Sequence, residues 1–433
     1  MKRSKSFGIS LLALCLTVFV SPGISADVSP GDIVDSTNWK RAQGLLPESV
    51  LEWVKKGDFL LQVDDLDHDL SKFYPPYVLD AFETNMGKYD LDPNDEIVDV
   101  RTRKPADHIV GLPFPKIDDT DSKAARKIMN NNRYLRLICG NVRCPFVAKF
   151  VKRSGFEREF WCDWKQFAMD GYPDAKAIRN PDRIELYSMM VLEEPYDIAG
   201  TATLLWRYLD PLQEDITFGY IPMIRRVRRM SPANRSDTML GSDFCLDDAL
   251  GYDGKITAFD WKMLKKQEAI MPFLDTNPIL VVQNKHGEWS TTKDMKPVVY
   301  GYQDKERTGA PWAPTNLVWV KRPGYVLEMK AKDRYYNFGT QYMWVDEETC
   351  GCTYKVIEDR GGKYWKTLLI VGAFYQSADK KMALIGAADL VMIDERSQHA
   401  TILENASPRN TMTFSADLDI NDFSLSGFLK YCK

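Results

Sequence analysis

Residues able to do chemistry are few in this chain, and their spacing argues against most catalysis. The four histidines, His68, His108, His286 and His399, are scattered, and no two share the spacing of metal ligands. There is no Gly-x-Ser-x-Gly elbow, no His-Glu-x-x-His, no phosphate-binding loop and no Gly-x-Gly-x-x-Gly after a strand. Acid pairs such as Asp247-Asp248 are unspecific by themselves; two carboxylates flanking a sugar bond would be glycosidase chemistry, but adjacent acids are common. The sequence therefore assigns no catalytic residue, no metal ligand and no cofactor.

The densest local signal is Ile221 to Met230, which places Arg225, Arg226, Arg228 and Arg229 within five positions. Such a run could grip an anionic head group through bidentate contacts. The alternative is a strand whose arginines pair with the carboxylates that follow, Asp237, Asp243, Asp247 and Asp248, and this structural role is the expectation. On a strand, Arg226 and Arg228 share one face while Arg225, Val227 and Arg229 share the other, so the run is not one patch.

Lys2, Arg3 and Lys5, an apolar stretch from Ile9 to Val20, and small residues ending at Ala26 have the three-part form of an export signal cleaved near Ala26. Leu14 is too large to precede a lipidated Cys15. Export puts the chain in an oxidising compartment, where disulfides are the default for its other seven cysteines. Cys139 and Cys144 could close a small loop; Cys350 and Cys352 would form only a strained ring, so partners elsewhere stay open. Removing residues 1–26 takes away three basic residues and no acidic ones, leaving 54 against 61, net −7. An acidic exported chain is a poor binder of nucleic acid.

The 433 residues are 44% hydrophobic and 27% charged, enough apolar material for a large core. The elements that must carry these residues fall into two regions. Residues 27–140 read as helix and loop, with helices around Leu45–Val54 (stopped by Gly57), Tyr77–Met86 and Ser122–Ile138. Residues 141–433 alternate with period two. Strand signals cover Arg183–Met189, Thr203–Leu209, Ile216–Ile224, Leu317–Val320, Tyr325–Met329 and Gln341–Val345. Thr353 to Val371 reads as a hairpin, and Ala387–Ile393 with His399–Leu403 as another pair. A helical insert is expected at about 245–275. The fold class is mainly β: a large curved antiparallel sheet, or incomplete β-barrel, with helical inserts and a helix-rich N-terminal region.

The order Leu205-Trp206-Arg207-Tyr208-Leu209-Asp210-Pro211, Gly219-Tyr220-Ile221-Pro222, the arginine run, Gly241-Ser242-Asp243-Phe244 and Asp247-Asp248 resembles the secreted proteobacterial family of domain of unknown function 1329. It is distantly similar to the Lol-type carriers that sort outer-membrane lipoproteins. The resemblance implies a curved β half-barrel closed by helices around an apolar cavity. It also implies company, namely a resistance-nodulation-division exporter and an outer-membrane protein. It brings no catalytic residue. A concave sheet lined by Trp206, Tyr208, Phe218, Tyr220, Trp319 and Trp344 would suit a large apolar ligand, although such aromatics also fill cores. The expected function is a non-enzymatic periplasmic carrier, peripheral to the outer membrane, for a hydrophobic or lipid-like molecule. The competing readings are a hydrolase of cell-envelope material and a structural envelope partner without a small ligand.

Overall fold

The computed structural model describes residues 28–405 and 407–432, so the export signal expected from sequence lies outside the described residues. Among these residues, sixteen strands form one large curved sheet that is not a closed barrel. The first six are β1 Val142–Lys152, β2 Gly155–Ala168, β3 Ile184–Glu194, β4 Ala202–Tyr208, β5 Ile216–Ile221 and β6 Arg226–Arg229. After an irregular insert follow β7 Phe259–Phe273, β8 Ile279–Gln283, β9 Trp289–Thr291, β10 Val318–Ala331 and β11 Phe338–Asp346. The last five are β12 Cys352–Asp359, β13 Tyr364–Ser377, β14 Ala383–Asp394, β15 His399–Glu404 and β16 Thr413–Phe414.

An antiparallel path runs β6-β5-β4-β3-β2-β1-β15-β14-β13-β12-β11-β10-β7. Most steps join strands adjacent in sequence, as short hairpin connections dictate. The step from β1 to β15 joins the two halves: Phe150 faces Thr401 in a ladder between residues about 250 positions apart. Strands β8, β9 and β16 fill the remaining gap, with β8 parallel to the end of β13 and β16 paired to β9 and β1.

The sheet changes neighbours at Gly372. Its register against β14 shifts between Val371 and Gly372, with β12 beside β13 before that point and β8 after it. A Cβ at Gly372 would lie 2.6 Å from the Phe273 ring, so only glycine lets β7 approach here.

Helices cover the sheet. In α1, Glu48–Lys56, the stripe Val50, Leu51, Trp53 and Val54 is buried, and Gly57 ends the helix with φ 78°. α2, Pro76–Asn85, starts with proline, whose missing N–H is no loss in a first turn. α3, Ala124–Leu135, is shorter than the expected 122–138 and buried along most of its length. Its chain then turns through Gly140 (φ 68°) into β1.

Two strand assignments differ from the sequence reading. The expected helical insert at 245–275 keeps only two short 3₁₀ segments, Leu246–Gly251 and Ile256–Ala258; from Phe259 the chain is the long strand β7. Lys262, Lys265 and Lys266 disguised this strand, because its pairing with β10 comes from 45 or more residues away and leaves much of one stretch in solvent. The two strands expected at Leu317–Val320 and Tyr325–Met329 are one, β10, which starts at Val318 and continues through Pro323-Gly324.

A buried acid gives the fold a pH signature. Asp389 on β14 is wholly buried and accepts a hydrogen bond from Tyr300 Oη at 2.6 Å. Burial, with the nearby Glu404, pushes its carboxyl up to about 8. The folded state thus holds a proton that the unfolded chain releases near the ordinary carboxylate range. This contribution to stability is full below that range and is lost as pH rises through about 8. Thermal melts should therefore show stability falling between about pH 4 and pH 8, and Asp389→Asn should flatten that slope. An unchanged slope in the variant would assign it to other groups.

Candidate functional site: an apolar cavity under the insert

The alternation of β1 decides what faces inward. Val142, Cys144, Phe146, Ala148 and Phe150, every second residue, line one cavity. The same face continues through Phe160, Cys162 and Trp164 of β2, Ser188 and Met190 of β3, Thr203 and Leu205 of β4, and Thr217 of β5. Ile370, Leu384, Ile385, Ala387 and Leu390 of β13 and β14 close the other side. Trp164 Nε1 donates to Ser188 Oγ at 2.8 Å, which satisfies its one polar atom within the wall. The roof is the end of α3 (Asn132, Leu135, Arg136) together with the insert from Arg235 to Asp253, including Met239, Leu240, Phe244 and Leu246. The cavity holds about 350 Å³. That is over twice the roughly 150 Å³ of an engineered apolar cavity that stays dry and takes up benzene.

A buried ion network holds the roof. Arg207 is wholly buried, with Nε 2.9 Å from Asp215 and a second bond to Asp253. Arg136 reaches Asp253 at 2.8 Å. Burial would raise the Asp253 carboxyl, but Arg136, Arg207 and Arg235 together hold it below the usual carboxylate range. Arg235 pairs with Asp247 at 2.5 Å, and Tyr336 Oη donates to the same carboxylate at 3.0 Å. Burial nevertheless leaves Asp247 above its ordinary value. Lys255 Nζ donates to the Asp210 carbonyl at 2.8 Å, and burial, with Arg133 nearby, lowers its pKa to about 7. Lys355 and Asp248 are both fully buried and 2.7 Å apart. Burial alone would lower the Lys355 ammonium, yet Asp248 holds it above the usual lysine range.

The carboxylates singled out from sequence do staple the insert, but not to the expected partners. Asp243 takes His399 Nδ1 at 2.6 Å and Thr401 Oγ1 at 2.8 Å, Asp237 takes Asn337 Nδ2 at 2.9 Å, and Asp247 and Asp248 take Arg235 and Lys355. Arg225, Arg226, Arg228 and Arg229 are exposed and make no ion pair among the described residues. Edge strand β6 carries them away from the insert, and Arg225 lies outside it in a left-handed turn (φ 52°). The expected pairing of run and carboxylates is corrected accordingly.

None of the six aromatics proposed from sequence lines this cavity. Trp206, Tyr208, Phe218 and Tyr220 pack with Phe423 and Phe428 in a separate cluster. Trp206 and Phe218 rings lie 5.2 Å apart, and Trp206 Nε1 donates to the Phe423 carbonyl at 2.9 Å. Trp319 is buried in the main core, and Trp344 packs on Tyr354. The lining residues Thr203, Leu205 and Thr217 alternate with Trp206 and Tyr208 on β4 and with Phe218 on β5, so on these two strands the aromatics face away from the cavity.

Cys139 and Cys144 are free thiols, not a disulfide. Cys139 Sγ donates back to the Arg136 carbonyl at 3.1 Å, and Cys144 sits within the β1–β2 ladder opposite Trp164. The intervening residues from Val142 already belong to a strand, which leaves no loose loop to close. Burial pushes both thiols up to about 12, and both line the cavity. Among the described residues no group of three or more His, Cys, Asp or Glu is arranged to hold a metal ion.

This architecture is a curved sheet that cups an apolar chamber beneath a charge-stapled roof. The chain belongs to the DUF1329 family of proteins of unknown function, whose model matches residues 33–427. No curated protein matches it. Among solved structures it is similar to a domain from Vibrio parahaemolyticus provisionally described as outer membrane lipoprotein-sorting (17% identity, 72% of this chain and 100% of that one, TM-score 0.48). It is also similar to a DUF1329 protein from Desulfovibrio piger (15% identity, 70% and 97%, TM-score 0.44). A third is a LolA superfamily protein from Nitrosomonas europaea (12% identity, 70% and 98%, TM-score 0.40).

Proposed function

We propose that the protein is a non-enzymatic carrier of a hydrophobic or lipid-like molecule, acting in the periplasm after export. The observation that carries this reading is the cavity. Its size and its aliphatic, aromatic and thiol lining fit burial of an acyl chain or similar apolar body, and its roof places Arg136, Arg235 and Asp253 at the boundary for a polar end. The family resemblance extends the reading to an accessory role beside a resistance-nodulation-division exporter and an outer-membrane protein. Protein isolated from its native compartment, extracted with organic solvent and analysed by mass spectrometry, should yield one class of hydrophobic molecule near one per chain. Absence of such a molecule, together with failure of the delipidated protein to take up a hydrophobic fluorescent probe, would refute the carrier reading.

A further inference from the structure

The arginine run takes no part in the cavity or its roof, and its surroundings are unusual. Strands β5 and β6 form the hairpin at the free edge of the sheet, with Arg226 opposite Ile221 and Arg229 opposite Phe218. Its tip is Pro222-Met223-Ile224-Arg225. Met223 is 91% exposed, and Ile221 and Ile224 are about half exposed (48% and 46%). Folding gains nothing from leaving three large apolar side chains together in water at a hairpin tip. Arg225, Arg226, Arg228 and Arg229 flank them, exposed and without ion pairs among the described residues, on a chain of net charge −4. A guarded sheet edge would explain charges on β6, but not an apolar tip ahead of them.

We propose that this hairpin docks the protein on an anionic lipid bilayer. Met223 and Ile224 enter the boundary between head groups and acyl chains, and the arginines take lipid phosphates. Charge complementarity favours a lipid surface: the apolar tip and the guanidinium collar match the two layers a bilayer presents in that order. The next connection along this end of the sheet carries Glu193, Glu194 and Asp197, so the attraction is confined to the hairpin. Strand β5 also lends Thr217 to the cavity wall, and Leu240, 41% exposed, borders the same cavity. Thr217 lies at the base of the hairpin, where its carbonyl accepts the Met230 amide at 2.8 Å, so the hairpin is continuous with one wall of the cavity. Vesicle binding is measured without cargo, so this proposal and the carrier reading can fail separately.

The test is flotation of the full chain with vesicles of phosphatidylglycerol and phosphatidylcholine in equal parts, against vesicles of phosphatidylcholine alone. Wild type should float with the anionic vesicles at low ionic strength and detach in large part at high, a residual fraction staying bound through the apolar tip. An arginine near such a surface is worth about fivefold in binding, so Arg226→Gln, Arg228→Gln and Arg229→Gln combined should weaken it on the order of a hundredfold. Met223→Asp with Ile224→Asp should abolish the residual, salt-resistant part. All five positions are exposed, and melting temperatures should match wild type. Equal binding to both vesicle types, binding unchanged in the triple variant, or capture of a protein by the hairpin with no vesicle binding would overturn the proposal.

Discussion

Asp248→Ala should destabilise the fold by about 3–5 kcal/mol, the range for breaking a buried ion pair by removing one partner. Asp248 Oδ1 lies 2.7 Å from Lys355 Nζ, and Oδ2 accepts the Cys245 amide at 2.8 Å. Alanine leaves an ammonium without its counter-charge in a site closed to water and orphans that amide as well. Lys355→Met should cost less, because the carboxylate keeps the Cys245 amide. The double variant Asp248→Leu with Lys355→Met should recover part of the loss, since an apolar pair of similar volume often replaces a buried ion pair without penalty. Arg226→Ala, on the exposed edge, should stay within about 0.5 kcal/mol of wild type. Urea unfolding midpoints read all four; an Asp248→Ala midpoint equal to wild type would show that the pair does not hold the insert on the sheet. Because Cys245 and Leu246 line the cavity, loosening this staple also opens the roof.

What the sequence made legible follows the range of the interactions involved. The hairpin of β12 and β13 and the pair β14 and β15 are written in local alternation and turn chemistry, and both stand where expected. The helix ending at Gly57 is equally local. Strand β7 was hidden because its register is imposed by β10, and charged residues on its solvent side imitate a helical surface. The cavity was hidden for a related reason. Alternation shows that Trp206 and Leu205 point to opposite faces, but which face is concave depends on the curvature of the whole sheet and on what roofs it. Large aromatics drew attention to the face that packs on the C-terminal segment, while the cavity took the smaller Thr203, Leu205 and Thr217. The partners of Asp247 and Asp248 came from Arg235 and from Lys355, over 100 residues on, whereas the nearer arginine run stayed in solvent. A signal did exist: Arg235 stands alone among polar residues before the Asp cluster, without the alternation that marks an edge strand.

The face assignment leads to the second large effect. Ala148 sits in the cavity wall between Phe146 and Phe150, so Ala148→Phe places a ring in the chamber itself. Filling space that a ligand needs should lower loading with a hydrophobic fluorescent probe at least tenfold per folded molecule, equivalent to about 1.4 kcal/mol of binding. Stability should change little or rise, because the added ring enters open volume and not a packed core. Trp206→Ala makes the opposite case. That side chain packs on Phe218 and bonds the Phe423 carbonyl on the far face, so its loss should lower the melting temperature. Probe loading per folded molecule should stay at the wild-type level. The two variants thus separate stability from loading on opposite faces of one sheet. Normal loading in Ala148→Phe with impaired loading in Trp206→Ala would move the ligand to the aromatic face and return the binding role to Trp206, Tyr208, Phe218 and Tyr220.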